Sequence, residues 1–317
     1  MMGWSAVEED AVAGRVVDLG LLVFTGEGLR PTHLEPDLSV VDVGILGEHV
    51  GFDSIGVIDH LSWNISTGPH GFWECTTVVA ALAAATSRAR LFTAVLASPF
   101  RNPALVAKVA ETIDMISNGR FVLGLGTSSG PPEEYESFGF PQDHLYSRFA
   151  EAIQIISSLL REGKCDFDGT FYQVRDCVLR PRGPRPTGLP IAIGAAGPKM
   201  MHLTASFADE WNGLTFGTPT LEHFAPMVEA VDAACREVGR DPVTLRRSVD
   251  IIVAPTDVTD VGIPGFGTPI HGTPDEIAAQ LAAFSDIGID EVHAYLWPQS
   301  TASVEAMASV LEVLDGD

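Results

Sequence analysis

Residues 90–130 constrain the fold most, because they read as strand, helix and strand before opening into a glycine- and serine-rich turn. Residues 91–97 (LFTAVLA) form a short apolar run suited to a strand buried on both faces. Asn102 offers a side-chain cap, and Pro103 takes the first helical position, where its missing N–H costs nothing. Val106, Val109, Ile113 and Ile116 then recur at steps of three and four, and Asn118-Gly119 ends the helix in the left-handed region. Residues 120–126 (RFVLGLG) return as a second buried strand. Two buried strands joined by one helix run parallel with a right-handed crossover. Parallel sheets place ligands where such strands end, here at Thr127-Ser128-Ser129-Gly130.

The same unit repeats along the chain. Strands are expected at residues 16–23, 51–58, 190–194, 210–216, 248–254 and 291–296, each followed by a helical pattern. Thr273-Pro274-Asp275-Glu276 opens the seventh helix as a complete capping box. Eight strands alternating with eight helices predict an α/β fold, the (β/α)8 barrel, as one domain over residues 1–317. Loop insertions are expected after strands 2, 4 and 7 and before strand 5, with residues 1–15 as a loosely ordered extension. A doubly wound open sheet would carry a glycine-rich phosphate turn after its first strand. That position reads Phe24-Thr25-Gly26-Glu27-Gly28, without the required spacing.

Charge and motif spacing exclude several functions. The net charge of −23, without any basic run, argues against nucleic acid or an anionic membrane as partner. Cys75, Cys165, Cys177 and Cys235 show neither metal nor redox spacing, which suits a reducing cytoplasm. No signal peptide or membrane-spanning run is expected. The nine histidines show no H-E-x-x-H, so no metal site is expected, and there is no G-x-S-x-G elbow for an acyl-transfer serine.

A barrel keeps its active site at the carboxyl ends of its strands. His60 is the one histidine immediately after an expected strand, beside an aromatic loop, and is the candidate catalytic residue. The plain alternative makes it half of a polar turn with Asp59. Gly194-Ala195-Ala196-Gly197-Pro198 precedes a helix, so backbone N–H groups and the positive dipole end can hold a phosphate; a tight strand-to-helix turn is the alternative. Gly124 and Gly126 lack the context of a dinucleotide fingerprint and read as close-packing positions. Trp63, Phe72, Trp73, Phe100 and Trp297 are candidates for an apolar substrate pocket, or for loop anchors.

The stretches GFDSIGVIDHL, WECTTVVAALAAATSRARLFTAVLASPFRNPALVAKVAETIDMISNGRFVLGLGTSS, LPIAIGAAGPKMMHLTASFADEWNG and GTPDEIAAQLAAFSDIGIDEVHAYLW together resemble the bacterial luciferase-like flavin oxidoreductases. Asp-His after the second strand is more typical of the branch using the deazaflavin coenzyme F420, whereas FMN branches more often have Glu-His-His. The resemblance implies that Asp59 and His60 lie beside the reactive centre of the coenzyme, and that Ala94 and Val95 form a third-strand bulge, often with a cis peptide, behind its ring. It implies that Gly126, Thr127, Ser128 and Ser129 border the ring and ribityl chain, and that Gly194, Ala195, Ala196, Gly197 and Pro198 cradle the phosphate. The implied function is an F420-dependent oxidoreductase acting on an apolar or aromatic small molecule, as a homodimer. An FMN-dependent two-component monooxygenase is the alternative, and a non-catalytic flavin-binding barrel the third reading. Sugar-phosphate dehydrogenases of this family carry a glutamate just after the fourth strand, where this chain has Ser128-Ser129.

Overall fold

A computed structural model describes residues 15–27, 39–65, 68–128, 130–215, 217–255 and 267–316. Strands β1 (Asp18–Val23), β2 (Ser54–Val57), β3 (Arg90–Thr93), β4 (Phe121–Gly126), β5 (Ile191–Gly194), β6 (Glu210–Leu214), β7 (Arg246–Ala254) and β8 (Glu291–Leu296) pair in parallel in chain order. β8 then pairs with β1, Asp18 opposite Glu291, and the barrel is closed. Helices α1 (Val40–Val50), α2 (Cys75–Ala85), α3 (Pro103–Ile116), α4 (Leu145–Glu162), α5 (Pro198–Phe207), α6 (Leu221–Glu237), α7 (Pro274–Ala282) and α8 (Thr301–Asp315) follow their strands in turn. The (β/α)8 barrel expected from the alternation is therefore the observed fold.

The local signals explain the element ends. Asn102 Oδ1 accepts from Ala104 N–H and Leu105 N–H at the start of α3. Thr273 and Glu276 form the reciprocal capping box of α7. Ser39 and Asp42 make a second capping box, which starts α1 at Val40. The expected insertion after β2 contains a hairpin, Ser62–Ile65 against Gly68–Gly71. The one after β4 contains a short helix, Pro132–Phe138, and the one before β5 a hairpin of Lys164–Asp168 with Gln173–Val178. Most of the N-terminal extension and most of the insertion after β7 lie outside the described residues. Among the described residues no helix is long and apolar enough to cross a membrane.

The barrel interior is filled in layers. At the amino-terminal end, Arg90 donates to Glu291 (2.7 Å) and Glu210 (3.1 Å), and Arg246 to Glu291 (3.1 Å) and Asp18. Above them His293 Nδ1 lies 2.8 Å from Asp250, and Nε2 lies 3.5 Å from Glu291. Gly20 leaves the room this ring needs: a Cβ there would sit 2.8 Å from His293. Donor atoms of Glu210, Glu291 and His293 fall within 4.8 Å of one another, close enough for a metal ion, but the two guanidiniums and the imidazole already meet both carboxylates. Phe92 stacks on His293 at 4.1 Å and, with Leu22, Val122 and Ala192, forms an apolar layer beneath the carboxyl-terminal mouth.

Burial acts most strongly on His293 and lowers its pKa, but hydrogen bonds and field from Asp250 and Glu291 outweigh it and raise the value to about 9. A raised folded-state pKa means stability that is complete below the unfolded value near 6.5 and is lost as pH rises through 9. Unfolding by urea should show a loss on the order of 3 kcal/mol across this window. Buried thiols such as Cys75, whose pKa burial raises, add a similar slope at the alkaline end. The difference between wild type and His293→Gln therefore isolates the imidazolium, and equal slopes in the two proteins would contradict the assignment.

Candidate active site

β2 ends below the mouth, and the next residues turn in opposite directions. Asp59, 4% exposed, accepts two hydrogen bonds from Arg101 (2.5 and 2.8 Å) and one from Ala97 N–H (2.7 Å). Arg101 also donates to Glu74 (2.6 Å), the cap of α2, which accepts from Thr77 N–H. Burial would lift the Glu74 pKa, but Arg101 and Thr77 outweigh it and hold it at about 2. Asp59 is thus committed to an ion pair that locks the β3 exit and α2 to the β2 exit. Each of its carboxylate oxygens already has a cationic partner.

His60 turns the other way. Its ring packs against Trp63 (4.5 Å) and Phe72 (5.5 Å), both from the hairpin segment after β2. Phe72 continues to Phe24 (5.2 Å), and Phe24 to Tyr295 (5.6 Å), so aromatic side chains follow the β1, β2 and β8 ends. Gln299 secures this side by accepting from Phe24 N–H (3.0 Å) and donating to Leu22 C=O (2.9 Å). Trp63 Nε1–H donates to His60 Nδ1 (3.1 Å). An indole nitrogen only donates, so in this arrangement the neutral imidazole carries its proton on Nε2. Nε2 makes no hydrogen bond to a described residue. Glu134, fully buried, accepts from Leu61 N–H (2.5 Å) and Ser62 N–H (3.4 Å), with its second oxygen 3.4 Å from His60 Nδ1.

The remaining expected residues separate into three groups. The Ala94–Val95 peptide is cis, and the Val95 side chain lies over β4 and β5. A Cβ at Gly126 or Gly194 would approach Val95 to 2.7 or 2.9 Å, so these glycines make room for a valine floor under the mouth. Gly124 likewise admits the Thr93 carbonyl. Gly197 caps α5 and Pro198 begins it, with no side chain bonded to the helix's first N–H groups. A Cβ at Gly197 would meet nothing within 4 Å. Ala195 is fixed by Trp211 Nε1–H on its carbonyl (2.9 Å), with Ala196 between the two glycines. Thr127 C=O faces Tyr135 Oη (3.5 Å), Ser128 has φ 72°, and Ser129 lies outside the described residues.

Two residues expected in a substrate pocket lie apart from the His60 ring cluster. Phe100, 6% exposed, meets Tyr135 edge-on (5.0 Å) and stacks on Phe140 (4.9 Å). Trp73 is 69% exposed. Trp297 is half-buried at the β8 exit, its N–H on Val253 C=O (2.9 Å). Glu134, Phe24 and Tyr295 were not anticipated. The available signal for Glu134 was Pro131-Pro132-Glu133-Glu134, a helix start with acidic residues in the first turn, five residues beyond Ser129.

The family model described as luciferase-like monooxygenase matches residues 18–261. An F420-dependent glucose-6-phosphate dehydrogenase of Microbacterium testaceum is 30% identical over 241 residues, 75% of this chain and 70% of that protein. The pyrimidine monooxygenase RutA of Methylorubrum extorquens is 40% identical over 187 residues, 55% of this chain but only 48% of its own length. Among solved structures, an F420-dependent secondary alcohol dehydrogenase in complex with an F420-acetone adduct superposes with TM-score 0.77 at 17% identity, covering 94% of this chain and 99% of that one. The tetrahydromethanopterin reductase of Methanopyrus kandleri gives 0.72 at 15% identity, with coverage of 94% and 99%. At such identities the superpositions establish the shared fold.

The Asp59–Arg101 pair makes a direct prediction. Arg101→Ala leaves Asp59 buried with one backbone donor, and removing one partner of a buried pair costs about 3–5 kcal/mol. Urea unfolding should register that loss, with Arg101→Lys intermediate because ammonium cannot reproduce the two-pronged geometry. A loss below about 1 kcal/mol, the range of exposed pairs, would contradict the anchoring role.

Proposed function

The chain belongs to the luciferase-like monooxygenase family, and from that premise we propose that this oxidoreductase uses the deazaflavin coenzyme F420 to move a hydride to or from an apolar organic molecule. The observation that carries the reading is Asp59-His60 at the β2 exit, with Asp59 consumed by Arg101 and His60 presenting Nε2 beside an aromatic wall. The identity shared with the F420-dependent dehydrogenase over 70% of that protein supports it.

The residues present suit such a coenzyme. The uncapped start of α5, open above Gly197, offers N–H groups and the positive helix end to a phosphate. Val95 forms an apolar floor for a flat ring. Thr25 Oγ1, buried at the β1 exit without a partner, is a hydroxyl that a bound molecule can satisfy. F420, when bound, supplies the hydride. The protein's part is to orient the reactants, exclude water with Phe24, Trp63, Phe72 and Tyr295, and hold or accept a proton at His60 Nε2. This apolar wall, together with Arg101 already engaged by two carboxylates, favours an apolar substrate over a sugar phosphate.

An FMN-dependent monooxygenase is the second reading, favoured by the 40% identity with pyrimidine monooxygenases over about half their length. Absorbance and calorimetric titration with F420 and with FMN separates the two, the first reading requiring F420 binding. Gly197→Leu should weaken F420 binding tenfold or more, by closing the backbone approach, while leaving the melting temperature unchanged because the added side chain meets open space. Tight FMN binding with no F420 binding would overturn the proposal, and unaltered F420 affinity in Gly197→Leu would remove the phosphate cradle from it.

A further inference from the structure

His60 Nδ1 faces two partners that require opposite things of it. Trp63 Nε1–H, at 3.1 Å, can only donate, so it needs a lone pair on Nδ1. The Glu134 carboxylate, at 3.4 Å, can only accept, so it needs a proton there. One nitrogen serves one of them at a time. Glu134 is held in place independently of His60 by Leu61 N–H and Ser62 N–H, and Trp63 by packing against Phe72 (5.1 Å). Both partners therefore stay within reach whichever one is bonded.

The choice of partner decides what the far nitrogen can do. With Nδ1 accepting from Trp63, the neutral ring has Nε2–H and can give a ligand a hydrogen bond but cannot take a proton there. With Nδ1–H donating to Glu134, Nε2 alternates between protonated, in the imidazolium, and unprotonated, in the neutral ring. A proton given from Nε2 to a substrate atom then leaves a neutral imidazole whose remaining proton stays on Nδ1, hydrogen-bonded to Glu134, and the reverse reaction restores the cation. Asp59 from the same turn and Glu74 from α2 both bind Arg101, so neither reaches His60 as its partner.

We propose that Glu134 and Trp63 are competing positioning residues for His60, Trp63 holding the free protein in the Nε2–H form and Glu134 accepting a hydrogen bond from Nδ1–H when His60 exchanges a proton through Nε2. The proposal rests on His60 being the acid–base group of the reading above, but its test needs neither coenzyme nor substrate, so the two can fail separately.

The test is nitrogen-15 NMR of histidine-labelled, full-length protein without ligands, the His60 signals being those lost in His60→Gln. At a pH where the ring is neutral, wild type should show protonated Nε2 and unprotonated Nδ1. In Trp63→Phe the ratio of tautomers should invert, because Glu134 is then the partner left to Nδ1. In Trp63→Phe/Glu134→Gln it should return, since the amide can donate to Nδ1 while its oxygen still accepts from Leu61. A merely structural role for Trp63 predicts one tautomer throughout. Protonated Nδ1 in neutral wild type, or no inversion in a folded Trp63→Phe protein, would overturn the proposal. Should Trp63→Phe not fold, the wild-type tautomer decides it alone.

Discussion

The buried pair of Asp59 and Arg101 is the contact on which the arrangement of the mouth depends. One carboxylate at the β2 exit reaches the backbone of the β3 exit through Ala97 and, through Arg101, the cap of α2 at Glu74. Two consecutive units of the barrel, β2–α2 and β3–α3, thereby share one ionic joint. Its geometry is two-pronged, which fixes orientation as well as distance. With Asp59 held by Arg101, the next residue, His60, packs against Trp63, Phe72 and Glu134.

A second ionic system lies at the opposite end of the same interior, and an apolar layer separates the two. Arg90, Arg246, Glu210, Glu291 and His293 fill the amino-terminal end. Burial would raise the Glu291 pKa, but Arg90, His293 and Arg246 outweigh it and keep it well below the ordinary carboxylate range. Phe92, Leu22, Val122 and Ala192 seal this charge from the mouth. The division follows the general logic of such barrels, in which the amino-terminal face carries stability and the carboxyl-terminal face carries function.

What the sequence disclosed follows from the range of the interactions involved. The strands, helices and caps are local, so the alternation of buried runs with amphipathic helices, the Asn102 cap and the Thr273 box were legible without a structure. The uncapped α5 start at Gly197-Pro198 was legible for the same reason. Glu134 was not, because it meets His60 from 74 positions further along the chain and nothing in Pro132–Phe138 marks a target. Phe100 and Trp73 looked like pocket residues from their place beside strand ends. Which side of a loop an aromatic residue faces is decided by its packing partners, here Tyr135 and Phe140 for Phe100.

The central claim is that His60, aimed by its neighbours, handles the proton while the coenzyme handles the hydride. Single-turnover oxidation of reduced F420 by a panel of small apolar ketones and enones, followed by stopped flow, tests it most directly. In His60→Gln the oxidation should slow by roughly 10²–10⁴-fold, the range of an acid–base group, with little change in coenzyme affinity. Equal rates in wild type and a folded His60→Gln protein, or no oxidation of bound reduced F420 by any member of the panel, would contradict the account.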